Sequence, residues 1–153
     1  MSLSENQKRD RYKRIFDQLE PLLAPVDNQL ARMATIVALL HHKFSYFFWT
    51  GFYLHEQGRL IVGPYQGSLA CLELKRDTGV CWAGVNQQKP LLVNDVHTFP
   101  GHIACDARSR SEMVIPVFDD MGQVIAIFDV DSADLSAFSE ADEAGCSKIL
   151  QLL

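Results

Sequence analysis

The chain predicts an α+β domain with a largely antiparallel sheet. Two amphipathic helical patterns open the sequence, and a third closes it. Between them lie short apolar segments separated by turn residues, and consecutive segments are joined as hairpins rather than through crossover helices. The 153 residues, 48% of them hydrophobic, suffice for one domain (1–153) with a sizeable core.

The first helix is predicted from about Ser4 to Leu23, with Tyr12, Ile15, Phe16, Leu19 and Leu22 on one face and Pro25 ending it. The run Lys8-Arg9-Asp10-Arg11-Tyr12-Lys13-Arg14 reads as its solvated face. The second starts near Asp27 as N-cap and repeats Leu30, Met33, Ala34, Val37, Leu40 and Phe44 at helical spacing. His41 and His42 are helix-end residues rather than ligands. Ser45 to His55 is an aromatic strand, and Gln57-Gly58 turns it into Leu60-Ile61-Val62. Leu69 to Leu74 reads as a further strand, Gly79 to Gln87 as a short helix, and Pro90 to Val93 as a short strand. Met113 to Phe118 and Gln123 to Asp131 form a hairpin about Asp119-Asp120-Met121-Gly122. Ser139 and Asp142 have the spacing of a capping box, opening a helix with Cys146, Ile149, Leu150 and Leu153 on its apolar stripe. Cys146 is therefore a small buried hydrophobe.

Composition narrows the function. A net charge of −5 argues against nucleic acid or an anionic membrane as partner. No apolar run approaches the ~20 residues of a membrane span. The start has no basic-then-apolar order, so no signal peptide is visible. Four cysteines in that setting point to a reducing, cytoplasmic compartment. No Cys-x-x-Cys occurs, and His97 and His102 with Asp95 and Cys105 match no strong metal signature, so neither a metal nor a cofactor is expected.

Two constellations carry chemistry. In Phe99-Pro100-Gly101-His102-Ile103-Ala104-Cys105-Asp106, a cysteine sits in a polar loop with a histidine three residues before it. The thiolate is the reactive form, so polar neighbours that favour it matter, and His102 is placed to shape the loop or favour ionisation. The second is acidic. Asp129 and Asp131 lie two apart on one strand and share a face. If Phe118 pairs with Gln123, Glu112 directly faces Asp129 on that same face, and like charges so opposed call for a cation, a shared proton or water. Trp49 and Tyr53 share a strand face with Gly51, either as core or as a pocket wall for a small apolar group.

These residues fall in recognisable blocks: Trp49-Thr50-Gly51-Phe52-Tyr53, Gly63 to Cys71, Gly79-Val80-Cys81, Gly101 to Asp106, Ser111-Glu112, and Asp129-Val130-Asp131-Ser132. In them the chain resembles the free methionine-(R)-sulfoxide reductases, a catalytic branch of the GAF-domain family. The resemblance implies a six-stranded antiparallel sheet flanked by N- and C-terminal helices. It implies thioredoxin-dependent reduction of free methionine (R)-sulfoxide, with Cys105 attacking, Cys71 as main resolving cysteine and Cys81 as a second. It assigns Glu112, Asp129 and Asp131 to substrate binding, and Trp49 and Tyr53 to the pocket for the substrate methyl group. Family members also form dimers, so a homodimer is among the expectations. The chain departs from the family in carrying Trp82 after Cys81, where a small residue is common.

The expected mechanism has the Cys105 thiolate attacking sulfur while Glu112 or Asp131 protonates the departing oxygen. Asp129 would take the ammonium group, and backbone amides near Gly79 the carboxylate. The alternatives are a non-catalytic GAF sensor of a small ligand, or a thiol switch in which a Cys71–Cys105 disulfide alters a partner interface. A Cys71–Cys105 bond requires Cα atoms within about 7 Å or a mobile loop.

Overall fold

The computed structural model describes residues 3–102 and 105–153. Ile103 and Ala104, from the cysteine loop, lie outside the described residues. The elements run α1 (Glu5–Leu23), α2 (Gln29–Lys43), β1 (Trp49–Glu56), β2 (Arg59–Gln66), β3 (Glu73–Leu74), α3 (Gly79–Gln87), β4 (Leu91–Val93), β5 (Ser111–Phe118), β6 (Val124–Ser132) and α4 (Glu140–Leu150). The six strands form one antiparallel sheet in the order β3-β2-β1-β6-β5-β4.

The period-2 alternation of the central strands divides the molecule. Phe52, Met113, Ile115, Val117, Ala126, Phe128 and Val130 face one core, shared with Tyr12, Ile15 and Leu19 of α1, Met33, Ile36, Val37 and Leu40 of α2, and Cys146, Ile149 and Leu150 of α4. Trp49, Tyr53, Val114 and Ile127 face the other way, towards Val80, Cys81 and Trp82 of α3. The acidic positions lie on this second face. Gly84 lets α3 settle on the sheet: a Cβ there would stand 3.2 Å from Val114 and 3.3 Å from Ile127.

The helices depart from expectation in detail. Ser4 caps α1 with a capping box to Gln7. Its buried face is Lys8, Tyr12, Ile15, Leu19 and Leu23, whereas Leu22 is 54% exposed. Lys8 thus leaves the basic surface for the interior, because Asp142 of α4 supplies a partner 2.5 Å away. The N-cap of α2 is Asn28 rather than Asp27, its side chain accepting from the Ala31 amide. Ile36, not Leu30 or Ala34, completes the buried stripe.

Three strand expectations change. β1 begins at Trp49, since Phe44 and Phe47 bury in the helical core and Tyr46 turns to Asp142. The segment from Leu69 contributes only Glu73–Leu74 to the sheet, because side chains of β1 hold the carbonyls of Ser68 and Cys71. The β5–β6 register lies two residues from the expected one: Glu112 faces Asp131, and Asp129 faces Val114. The turn explains it. Asp119 accepts from the amides of Met121 and Gln123, the chain closes with Asp119 N–H on the Gln123 carbonyl, and the register shifts between Val117 and Phe118. A two-residue shift preserves parity, so all three acids still share a face.

Candidate active site

Two adjacent rows of the sheet build the floor. Trp49 of β1 faces Asp131 of β6, which faces Glu112 of β5. In the next row Gly51 faces Asp129, which faces Val114. Alternation therefore places an aromatic wall beside three carboxylates on neighbouring strands. Gly51 is needed for this packing. A Cβ at that position would come within 2.5 Å of Tyr65 Cβ and 2.6 Å of Trp49 Cη2, so only glycine lets the indole lie over the strand. Trp49 stacks between Tyr53 and Tyr65, with ring centroids 5.8 and 5.3 Å away.

The aromatic wall also positions a cysteine. Trp49 Nε1–H donates to the Ser68 carbonyl at 3.1 Å, and the Tyr53 hydroxyl donates to the Cys71 carbonyl at 3.0 Å. Held at both ends, the Ser68–Cys71 segment brings Cys71 to Cys105. The two are joined by a disulfide with Cα atoms 5.6 Å apart, inside the range such bonds span. Asp106, next to Cys105, forms a two-pronged ion pair with Arg108 (3.0 and 2.8 Å) that holds its carboxyl well below the usual range. The Arg108 guanidinium in turn lies 4.6 Å over the Phe48 ring.

Disulfide, aromatics and acids open onto one cavity of about 220 Å³, lined by residues that include Trp49, Tyr53, Cys71, Cys81, Cys105, Glu112, Asp129 and Asp131. That is below the about 300–1,000 Å³ of drug-sized sites and suits a small metabolite. Every residue that the resemblance assigned to catalysis or substrate binding lines it. Trp82 does not: it is buried edge-on to His55 at 5.7 Å, with its Nε1–H directed at the Leu74 carbonyl.

The electrostatics are lopsided. Glu112 and Asp129 are each 5% exposed, and Asp131 is partly buried. Burial raises the Glu112 carboxyl well above its usual range, and the charges of Asp129 and Asp131 add to this. Burial likewise raises Asp129, with Asp131 adding to it. Burial pushes Asp131 up to about 6, opposed by the Ser109 hydroxyl that donates to it. The Cys81 thiol is raised by burial and then by Asp129 and Glu112; its Sγ lies 4.0 Å from Glu112 Oε1. Among the described residues no lysine or arginine pairs with any of the three acids, and Asp129 Oδ1 is buried with no hydrogen-bond partner.

The sequence did not disclose Ser109, and for His102 it suggested only a part in shaping the loop or favouring the Cys105 thiolate. His102 Nδ1 stands 3.8 Å from Glu112 Oε2, and burial lowers its pKa, which keeps the imidazole neutral. Its association with Glu112 arises from loop folding and has no local signal. Ser109 follows the cysteine loop at no motif spacing, yet reaches Asp131 because Arg110 N–H bonds the Ser132 carbonyl. Asp95 and His97 belong instead to a short 3-10 turn (Val96–Thr98), where Asp95 caps the His97 amide at 3.0 Å.

Comparison with known proteins agrees with the architecture. A profile described as "GAF domain" matches residues 31–145. The chain belongs to the GAF-domain family. It is 36% identical over 146 residues to the free methionine-R-sulfoxide reductase of Escherichia coli, covering 95% of this chain and 88% of that one. It is 41% identical over 154 residues to GAF domain-containing protein A of Dictyostelium discoideum, covering 100% of this chain and 96% of the relative. Among solved structures, the free methionine-R-sulfoxide reductase of Neisseria meningitidis in complex with its substrate superposes with a TM-score of 0.90 at 34% identity, covering 99% and 90% of the two chains. The reduced form of fRMsr from Staphylococcus aureus gives 0.87 at 36%, covering 92% and 91%. Within the GAF domains, the chain is a member of the free methionine-(R)-sulfoxide reductase family.

Proposed function

We propose that this chain reduces free methionine (R)-sulfoxide to methionine through a Cys105 sulfenic acid and a Cys71–Cys105 disulfide. One observation carries the reading: an accessible disulfide and three crowded carboxylates line the same small cavity. The named E. coli and N. meningitidis relatives support the substrate and its stereochemistry.

The cavity suits each part of such a substrate. The stacked faces of Trp49 and Tyr53 accept the methyl group. Asp129, with its unpaired buried Oδ1, and Asp131, largely ionised at neutral pH, accept the ammonium. Amides at the start of α3, where Thr78, Gly79 and Val80 line the cavity, are the candidate partners for the carboxylate. Glu112 is the choice for general acid. Sulfoxide oxygen departs only when protonated, and a carboxyl held neutral beside charged neighbours has a proton to give.

The Cys105 thiolate attacks the substrate sulfur as Glu112 protonates the oxygen: an Sγ–S bond forms, the sulfur–oxygen bond breaks and the oxygen leaves as water after a second protonation. A water oxygen then attacks Sγ, the Sγ–S bond breaks with loss of a proton, and methionine departs leaving Cys105 as sulfenic acid. The Cys71 thiol displaces that oxygen as water, forming the disulfide. A dithiol protein of the thioredoxin type then accepts the oxidation by exchange. Cys105 is exposed, and Leu69 (86% exposed) and Leu72 (73% exposed) flank Cys71, so the bond is open to a protein reductant. Cys81, buried and beside Glu112, has the part of a second resolving thiol.

Single-turnover methionine release from resolved sulfoxide isomers, without added reductant, tests the scheme. Cys105→Ser abolishes release. Cys71→Ser retains one turnover but loses thioredoxin-coupled cycling. The reverse pattern would exchange the two roles. Tight ligand binding with no release by the wild-type protein would make it a sensor, and oxidation by peroxide without substrate preference would make it a thiol switch.

A further inference from the structure

We propose that Cys81, Glu112 and Asp129 also form a site for a thiophilic divalent cation, zinc being the cellular candidate, whose binding excludes the amino-acid substrate. One donor atom from each residue lies within 4.8 Å of the other two. The three come from α3, β5 and β6, all rigid and packed against one another, so the donor set is held by the fold rather than by a loop.

The spacing lies within a small contraction of a tetrahedral site. With zinc–sulfur near 2.3 Å and zinc–oxygen near 2.0–2.2 Å, a tetrahedral angle separates sulfur and oxygen by about 3.5 Å. Cys81 Sγ and Glu112 Oε1 are 4.0 Å apart, so a contraction of about half an ångström would close the pair. Asp129 Oδ1 is the independent sign of a missing partner: it belongs to a residue 5% exposed, and no hydrogen bond reaches it among the described residues. His102, whose Nε2 is likewise buried without a partner among the described residues, offers a further nitrogen donor beside Glu112. Sulfur, carboxylate and neutral imidazole together select zinc-like ions over magnesium or calcium. The ion displaces the thiol proton and any carboxyl protons to solvent. It also occupies Asp129 and Glu112, so metal and substrate bind in turn. The inference concerns binding and stands whether or not the chain turns over.

The oxidised protein gives a clean test. Its disulfide removes Cys71 and Cys105 from metal binding, leaving Cys81 and Cys146 as the free thiols. Cys146 is buried in the opposite core with Sγ 3.7 Å from the Tyr12 hydroxyl. Titration with Cd²⁺, followed by the ultraviolet sulfur-to-cadmium charge-transfer band, is expected to give one saturable band. That band vanishes in Cys81→Ser, persists in Cys146→Ser, and is displaced by free methionine sulfoxide. Glu112→Gln and Asp129→Asn each weaken Cd²⁺ affinity by about tenfold or more. Absence of a band in the wild-type protein, or its survival in Cys81→Ser, overturns the site. Should Cys81→Ser fail to fold, judged by circular dichroism, the carboxylate variants decide: a band of unchanged affinity in both overturns it equally. A band that substrate cannot displace overturns the exclusion.

Discussion

The molecule buries carboxylates in two places and treats them in opposite ways. Asp142, 0% exposed, lies between α1 and α4 and is saturated with donors. Its Oδ2 meets Lys8 Nζ at 2.5 Å and accepts from the Ser139 amide at 2.9 Å, while its Oδ1 accepts from the Tyr12 and Tyr46 hydroxyls at 2.9 and 2.5 Å. Across the sheet, Glu112 and Asp129 are almost as deeply buried, yet they share one sheet face with Asp131 and have no lysine or arginine paired to them among the described residues. Burial alone therefore does not say what a carboxylate is for. A satisfied one pins two helices together. An unsatisfied group destabilises the empty protein and leaves free energy to be recovered when a cationic or proton-accepting ligand arrives.

The strongest way to break this contrast is Asp142→Ala. It strands Lys8 in the interior without its counter-ion, and the expected loss is about 3–5 kcal/mol in chemical denaturation. Since small domains hold only about 5–15 kcal/mol in all, that is a large fraction. Substrate affinity of the folded variant should be unchanged, because the α1–α4 seam is on the opposite face of the sheet from the cavity. A loss below about 1 kcal/mol would mean that neither the ion pair nor the hydroxyl hydrogen bonds to Asp142 hold the seam, and that apolar packing does.

Glu112→Gln makes the converse substitution. Replacing an acid that burial and its neighbours force to keep its proton by a neutral isostere removes that cost, so denaturation should show stability equal to or above that of the wild type. The single-turnover rate should fall by about 10²–10⁴-fold, since the amide has no proton to give. Destabilisation on the scale of the Asp142 variant would place Glu112 among the structural carboxylates.

The two regions also differ in how far they could be read from the chain. The cavity acids were legible because strand alternation puts Asp129 and Asp131 on one face regardless of distant partners, and because a register error of two residues leaves Glu112 on that face. The aromatic wall was legible for the same reason: Trp49, Gly51 and Tyr53 share one parity. Asp142 was visible only as half of a capping box with Ser139, which it does form. Its main partner lies 134 residues away, in a basic run whose other charged members are exposed or half-buried, and no local pattern singles out Lys8 from Arg9 or Arg11. His102 beside Glu112 and Ser109 on Asp131 were hidden likewise, since loop residues meet strands by tertiary closure and not by period. Sequence periodicity thus reports which face a residue takes; it does not report which single atom will meet it there.

The finest distinction between the two regions is in their pH response, and Asp131 provides it. Burial pushes its carboxyl up to about 6, with the Ser109 hydroxyl pulling the other way. An aspartate in the unfolded chain titrates near about 3.9. Between these values the folded protein binds more protons at this position than the unfolded chain does. This group's contribution to stability is therefore fully present below the unfolded value, declines as pH rises through the window, and is gone above the folded value. Asp131→Asn keeps an oxygen for Ser109 but has nothing to titrate. Its stability relative to the wild type should rise between about pH 4 and 6 and then level off, by on the order of 1 kcal/mol for a group that is only partly buried. Parallel denaturation series at several pH values measure the difference directly, and a constant offset across the window would show that Asp131 is charged in the folded protein as readily as in water.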